Sequence, residues 1–258
     1  MMNFEEIRNY WEGRAAGDSS EQSTTQDVFL REIELNVLVD RIKKFSPKRV
    51  ADVGCGDGRT TIGLAKAIDD IQFLGLDYSS SMIENAKSVL LDRGLKNIGF
   101  DQLDIRDGPR ESFNLIYTTR CLINLPSWDL QKQAIQNIHA ALDSDGIYLM
   151  IENFVEGQEN FNKIRKDFAL PEIPVREHNL FFQRKRLIDF TKDIFQVDEE
   201  VNISSTYYLV SRVIYSKICF ESGCTPDYFN EHHRYAAGLP FSGEFGPVRL
   251  IVFRKNKE

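Results

Sequence analysis

The chain has 258 residues, of which 42% are hydrophobic and 28% are charged, with a formal net charge of −7 at pH 7. This length suits one α/β domain with an elaboration, or two small domains. The acidic balance makes a broad electrostatic attraction to nucleic acid unexpected, although a local basic patch would still be compatible with it.

Membrane and secretory features are not found in the sequence. No apolar run approaches the ~20 residues of a membrane span. The acidic beginning of the chain also lacks the basic and apolar regions of a signal peptide. The four cysteines form no CxxC pair, so we expect reduced thiols in a cytoplasmic protein and no metal site.

The beginning of the chain is predicted to form an N-terminal helical segment over residues 1–45. Within it, residues 27–44 carry apolar side chains at helical spacing, and the helix is expected to end before Pro47. An aromatic pair, Tyr10 and Trp11, lies ahead of this helix.

Strands and helices alternate over the next segment, residues 46–152. The predicted strands there are Val50–Val53, Ile71–Leu76, Ile98–Leu103, Phe113–Thr118 and Gly146–Ile151. Connections of this kind are right-handed and build a parallel sheet with helices on both faces. Two further strands are predicted at Gln196–Ile203 and Val248–Phe253. The sequence therefore predicts a Rossmann-like, doubly wound α/β fold. Its sheet has seven strands and is mostly parallel, with an insertion after strand five.

The predicted strands end in residues suited to ligand binding. Ligands of such sheets bind at the carboxyl ends of the strands. These ends are Gly54, Asp77, Asp104, Thr119 with Arg120, and Glu152.

The turn after the first strand contains three glycines within "VGCGDGRT". A P-loop requires a lysine where this chain has Arg59 after Gly58. A dinucleotide fingerprint places its third glycine three positions after the second, whereas here the spacing is two. Asp52 and Asp57 also flank the turn, and a pyrophosphate prefers amide groups without carboxylates. The turn therefore indicates a ligand that carries positive charge.

This turn resembles that of the class I S-adenosylmethionine-dependent methyltransferases. Their motif reads acid-x-Gly-x-Gly-x-Gly, and Asp52, Gly54, Gly56 and Gly58 match it. The resemblance implies that the turn, including Cys55, wraps the methionine part of S-adenosylmethionine.

The same resemblance implies the residues that bind the nucleoside. Asp77 matches the acid that takes both ribose hydroxyls, with Tyr78 and Met82 flanking the adenine. Asp104 matches the acid that faces the adenine amino group, beside the amide of Ile105. For any one of these acids taken alone, helix capping or solvent exposure remains an alternative.

The N-terminal segment is similar to the W-x-x-R lead-in of several small-molecule methyltransferases. The resemblance implies that Trp11 closes over the cofactor and that Arg14 meets its carboxylate, with segment 1–45 closing over the pocket. A solvated tail is the alternative for Arg14. Thr119 and Arg120, after strand four, complete the predicted cofactor site.

Residues 153–258 are expected to supply a lid and acceptor region together with the final strands. Asparagines mixed with aromatic residues suit a hydroxylated or glycosidic ligand, and equally an ordinary partly buried loop. His178 is the candidate general base because its ordinary pKa suits proton transfer, and Glu152 is a second candidate. A structural or surface role is the alternative for His178.

The sequence thus predicts an S-adenosylmethionine-dependent O-methyltransferase that acts on a small molecule or sugar, as a monomer or homodimer. Strand four lacks the Asn/Asp-Pro-Pro-Tyr motif, which argues against methylation of DNA adenine or glutamine amides. The alternatives are a protein or RNA methyltransferase, a non-catalytic cofactor-binding regulatory subunit, and a Rossmann oxidoreductase.

Overall fold

A computed structural model describes residues 2–17, 25, 27–91 and 93–257 of the chain. Positions 1, 18–24 and 26 of the predicted segment 1–45 lie outside the described residues, as do positions 92 and 258.

Seven described strands form one sheet. They are β1 (Arg49–Val53), β2 (Gln72–Asp77), β3 (Ile98–Gln102), β4 (Phe113–Thr119), β5 (Leu142–Asn153), β6 (Phe195–Asn202) and β7 (Val248–Lys255). Their spatial order is β3-β2-β1-β4-β5-β7-β6. Strand β7 runs antiparallel to β5 and β6, and all other neighbours run parallel. This arrangement confirms the predicted Rossmann-like, mostly parallel sheet.

Helices pack on both faces of the sheet, as predicted. They are α1 (Phe4–Gly17), α2 (Val28–Phe45), α3 (Arg59–Ala67), α4 (Ser80–Leu91), α5 (Trp128–Ala141), α6 (Val155–Asp167), α7 (Arg184–Thr191), α8 (Ser205–Tyr208), α9 (Tyr215–Glu221) and α10 (Glu231–Ala237). Apolar side chains of α2 and α3 pack on one face, and those of α5 and α7 pack on the other. None of the described helices is both long and apolar enough to cross a membrane.

Strand β5 begins earlier than the sequence predicts. Leu142 pairs with Phe113 ahead of an irregularity in the ladder, and Asp145 adopts a φ of 62°. The Asp-Ser-Asp-Gly stretch that predicts a turn therefore forms a bulge within the strand.

Two further differences lie in the last third of the chain. The helix predicted near residues 207–215 contains a π-helical segment, Leu209–Ile214, between α8 and α9. Such segments occur frequently at functional sites. Helix α10 lies within residues 220–247, where the sequence predicts irregular structure.

Glycines allow close packing beneath the carboxyl edge of the sheet. Gly54 has a φ of 78°, and an added Cβ would overlap the Sγ atom of Cys121 in the turn after β4. At Gly58 an added Cβ would lie 2.6 Å from the ring of Phe100, and at Gly75 it would overlap that ring. The ring of Phe100 therefore packs against the glycine turn after β1.

Replacing Gly75 by alanine is expected to lower the free energy of unfolding by about 1–3 kcal/mol, because the new methyl group must displace a buried ring. Gly99→Ala is the matched control, since its nearest neighbour, Cδ1 of Leu74, lies 3.7 Å from the added Cβ. Urea denaturation measures both variants. Equal midpoints for Gly75→Ala and Gly99→Ala would contradict this account of the packing.

Candidate active site

A cavity of about 650 Å³ opens at the carboxyl edge of the sheet. This volume is within the range of small-molecule sites. We call one part the cofactor half, lined by residues from the ranges 10–14, 52–60 and 77–82. We call the other part the acceptor half, lined by residues from the ranges 27–34, 153–181 and 208–228. The turn after β4 contacts both halves, because Arg120 pairs with Glu34 and Cys121 contacts Gly54.

The carboxylate of Asp77 ties the glycine turn to the start of α4. Its oxygens accept hydrogen bonds from the amides of Gly56 and Ser79, each at 2.9 Å. The hydroxyl of Ser79 in turn accepts from the amide of Met82, which caps the helix. Each Asp77 oxygen retains further acceptor capacity, so the carboxylate can still accept two hydroxyl donors.

The acid of the glycine motif, Asp52, is buried beneath the turn. One of its oxygens accepts hydrogen bonds from the hydroxyls of Thr61, at 2.6 Å, and Tyr117, at 2.7 Å. Burial raises the pKa of Asp52 to about 7, although these hydrogen bonds oppose the shift. Burial likewise raises the pKa of Asp77 to about 6 against its amide bonds. A positively charged ligand nearby would favour the ionised form of both groups.

The residues predicted to bind the nucleoside do not all line the same cavity. Tyr78 and Met82 line the cofactor half, and the buried hydroxyl of Tyr78 has no hydrogen-bond partner among the described residues. Asp104 instead lines a neighbouring cavity that shares Tyr78 as a wall. The Asp104 carboxylate is held by Arg106 in a bidentate ion pair, and Ile105 is buried beside it. Before Asp104 could bind an adenine amino group, Arg106 would have to release one oxygen.

Helix α1 lies over the cofactor half. Tyr10, Trp11 and Arg14 line the cavity. The indole of Trp11 donates to the side-chain oxygen of Asn124, at 3.2 Å. His178 stacks on Tyr10 with ring centroids 4.6 Å apart, which joins the helix to the insertion after β5. Burial, assisted by Arg176, lowers the pKa of His178 and keeps its imidazole neutral and able to accept a proton near pH 7.

Glu152 is buried behind the cavity, although the sequence predicts it as a candidate catalytic residue. It is 0% exposed and is absent from the described residues that line the cavity. Its carboxylate accepts hydrogen bonds from the amides of Cys121, Leu122 and Ile123. Because its oxygens are committed to this turn, we propose a positioning role for Glu152 in place of the catalytic role expected from the sequence.

Two residues at the strand ends line the cavity and carry a buried side-chain oxygen without a partner. The side-chain oxygens of Thr119 and Asn153 are buried, and neither makes a hydrogen bond with the described residues. Both residues line the cavity, and Asn153 is 8% exposed. Since a buried polar atom without a partner costs free energy, a rotation of either side chain toward the cavity would let a ligand supply the missing hydrogen bond.

Among the charged residues of the acceptor half, Glu34, Asp27 and Arg212 are not predicted from the sequence, whereas Arg120 is predicted for the cofactor site and instead pairs with Glu34 on the acceptor side. Glu34 of α2 forms a buried ion pair with Arg120, and Asp27 forms another with Arg212. Burial raises the pKa of Glu34, and Arg120 opposes this shift. One signal is present in the sequence, because Glu34 interrupts the apolar stripe of α2 at a position that faces the core. No comparable signal marks Arg212, whose pairing depends on the tertiary fold.

A sequence profile described as "Methyltransferase domain" matches residues 44–203, which is more than half of the chain. The chain belongs to the class I S-adenosylmethionine-dependent methyltransferases. This methyltransferase domain contains the glycine turn, strands β1–β6 and the insertion after β5.

Three relatives illustrate the similarity. The carboxy-S-adenosyl-L-methionine synthase of Nautilia profundicola is 30% identical over 139 residues, 52% of this chain and 57% of the synthase. The malonyl-[acyl-carrier protein] O-methyltransferase of Bacillus cereus is 28% identical over 184 residues, 69% of this chain and 64% of the relative. The match thus spans about three fifths of the length of these two relatives. The crystal structure of magnesium protoporphyrin IX methyltransferase from Synechocystis PCC 6803 with bound SAH shares the fold. The two structures align with a TM-score of 0.61 at 14% identity, and the alignment covers 98% of this chain and 96% of the Synechocystis chain.

The cofactor half of this methyltransferase fits S-adenosylmethionine. Asp77 offers acceptors for ribose hydroxyls, while Asp52 and Asp57, the latter paired with Arg59, line the same half. Tyr78 presents an aromatic ring with an unpartnered hydroxyl. The positions of Gly54, Cys55, Gly56, Trp11, Arg14 and Met82 around this half agree with the roles that the sequence predicts, and those roles remain predictions.

Affinity for S-adenosylhomocysteine is expected to fall as the pH decreases from 7.5 to 5.5. Protonation of Asp77 removes the carboxylate that would accept both ribose hydroxyls, so the tighter-binding form is the one present above its pKa. A pKa of about 6 predicts a Kd roughly fourfold weaker at the lower pH from this group alone. Calorimetry at several pH values measures the effect. Asp77→Asn should reduce the pH dependence and leave the part that Asp52 contributes, and Asp101→Asn should retain the wild-type profile, whereas a constant wild-type Kd would contradict the prediction.

Arg14→Ala is expected to raise the Kd for S-adenosylhomocysteine at least several-fold, because the guanidinium is predicted to hold the carboxylate of the ligand. Asn9→Ala, at an exposed position of the same helix, is the control and should bind as the wild type does. Circular dichroism confirms that both variants fold. An unchanged affinity in Arg14→Ala would remove Arg14 from the cofactor site.

Proposed function

We propose that this methyltransferase methylates a hydroxyl oxygen of a small molecule or sugar. The observation that carries the proposal is the unpartnered side-chain oxygen of Asn153, a residue at the end of β5 that lines the acceptor half. An oxygen acceptor of this kind matches a substrate that donates a hydrogen bond. The unpartnered hydroxyl of Thr119, at the end of β4, offers a second contact.

The described residues supply alignment, exclusion of water and a proton acceptor. When bound in the cofactor half, S-adenosylmethionine would supply an activated methyl group on its positively charged sulfur, and S-adenosylhomocysteine would be the product left after transfer to the acceptor oxygen. Asn153 orients the acceptor hydroxyl by accepting its hydrogen bond. The single hydroxyl proton passes to His178 when the hydroxyl turns from Asn153 to the imidazole, which its lowered pKa keeps neutral. Tyr10 and Trp11 pack against His178 and shield it from bulk water.

Glu152 contributes indirectly in this proposal. Its three amide bonds fix the turn that carries Thr119 and Arg120 into the cavity. Alignment of the reacting groups is a large part of what an enzyme supplies when the leaving group is already activated.

The test measures turnover of purified protein with a panel of phenols, alcohols, sugars and amines. Release of S-adenosylhomocysteine is the readout. Hydroxyl compounds are expected to react. Asn153→Leu should then lower kcat/KM about tenfold or more, the equivalent of losing one hydrogen bond of ~1.4 kcal/mol in the transition state. Asn153→Asp retains the acceptor oxygen and should recover part of the rate.

His178→Ala gives a second measurement in the same assay. It should lower kcat and remove the decline of kcat that protonation of the imidazole causes at acidic pH. Reaction with amines alone would replace oxygen by nitrogen as the acceptor atom. Wild-type turnover in both Asn153→Leu and His178→Ala would refute the assigned roles.

A further inference from the structure

The charges that line the cavity are separated by sign. The cofactor half contains three carboxylates, from Asp52, Asp57 and Asp77, and one guanidinium, from Arg14. Among the described residues that line the acceptor half, the guanidinium groups are those of Arg31, Arg120, Arg176 and Arg212, against the carboxylates of Asp27 and Glu34. An excess of positive charge thus collects there in a protein whose net charge is −7. Partly buried positive charge is stabilised by an anion.

Arg120 is held in the acceptor half by an unusual backbone and by a buried partner. Its φ is 49°, a conformation that costs free energy for a residue with a side chain. Its Nε atom lies 2.8 Å from Glu34, and its Nη2 atom donates to the same carboxylate at 3.0 Å. This strained position, immediately after β4, carries the guanidinium to the cavity.

Arg212 is fixed from another direction by the π-helical segment between α8 and α9. Its guanidinium pairs with Asp27 and donates to the hydroxyl of Ser211. The rings of Tyr208 and Tyr228 lie 4.4 and 4.9 Å from it, and both line the cavity. The acceptor half thus combines a rigid cation with aromatic surface.

Both arginines retain donors for a further anion. A guanidinium has five N–H groups in a planar fork, and a carboxylate uses two of them. The contacts with Glu34 and Asp27 use only part of each fork, and they also hold both groups in place before a ligand arrives. Such pre-organisation reduces the entropy that binding would otherwise cost.

We propose that the methyl acceptor is a hydroxylated carboxylic acid, whose carboxylate binds to Arg120 and Arg212 in the acceptor half. This inference rests on the proposed function. Tyr208, Tyr228 and Phe161 contact the apolar body of the acid, and Asn153 accepts the hydrogen bond of the hydroxyl group that is methylated. The carboxylate anchors the molecule and is not itself consumed.

The experiment compares acids with their neutral amides on protein saturated with S-adenosylhomocysteine. The probes are 4-hydroxybenzoate with 4-hydroxybenzamide, and 6-hydroxy-2-naphthoate with 6-hydroxy-2-naphthamide, titrated by calorimetry. At least one acid is expected to bind tenfold or more tightly than its amide, with a preference that declines as salt increases. Equal affinity of acid and amide in both pairs would overturn the inference.

Paired substitutions test the two guanidinium groups without leaving a buried charge alone. In Asp27→Asn/Arg212→Gln, the preference for the acid should fall to threefold or less while the affinity for S-adenosylhomocysteine is retained. In Glu34→Gln/Arg120→Gln, the preference for the acid should fall to the same extent. Asp198→Asn/Arg254→Gln removes an ion pair between β6 and β7 and is the matched control. Retention of the full preference in both test variants would also overturn the inference.

Arg176→Gln provides a measurement that does not depend on the buried pairs, because this residue is exposed at the rim of the acceptor half. It should reduce the preference for the acid about twofold or more. Failure of the wild type to bind S-adenosylhomocysteine would refute the proposed function itself. Normal binding of that ligand together with equal affinity for acids and amides would refute the carboxylate inference alone.

Discussion

The side chain of Cys121, in the turn after β4, packs directly on the backbone of Gly54 in the turn after β1, and the cavity is built on this contact. Gly54 approaches Cys121 so closely that a methyl group would not fit. Each turn is fixed by a buried carboxylate that accepts backbone amides, Asp77 for the first and Glu152 for the second. Two acids with similar surroundings thus have separate tasks, since Asp77 faces the cavity and Glu152 lies behind it.

Buried carboxylates determine the electrostatic character of the cofactor half. Asp52 and Asp77 are buried, and their raised pKa values show that desolvation opposes ionisation. A ligand with a sulfonium or ammonium group would restore favourable interactions with both, whereas a pyrophosphate would add repulsion. The charge of the cofactor half therefore favours a positively charged ligand.

Helix α1 connects the two halves through few contacts. Trp11 donates to Asn124, whose side-chain amide donates to the carbonyl oxygens of Arg120 and Cys121. The ring of Tyr10 covers His178, and the amide of Asn85 in α4 donates to the carbonyl oxygen of Ala15. The helix thus touches the β4 turn, the insertion after β5 and α4, so its position affects cofactor and acceptor contacts together.

The sequence by itself determined the order of strands and helices, the parallel core and the glycine turn with its acids. Hydrophobic periodicity and the spacing of glycines are local properties, and the family resemblance depends on the same residues. Strand ends such as Asp77 are therefore recognisable from the amino-acid pattern alone. The bulge at the beginning of β5 and the π-helical segment are not, because both depend on pairing and packing with distant residues.

Only the tertiary structure decided which charged groups meet. Asp27 and Arg212 are separated by 185 residues in the chain and form one buried ion pair. The tertiary structure likewise placed Glu152 behind the β4 turn and paired Asp104 with Arg106, although both acids occupy strand ends as expected. The sequence identifies the edge of the sheet to which a side chain belongs. Which partner that side chain reaches depends on the packing of elements that are distant along the chain.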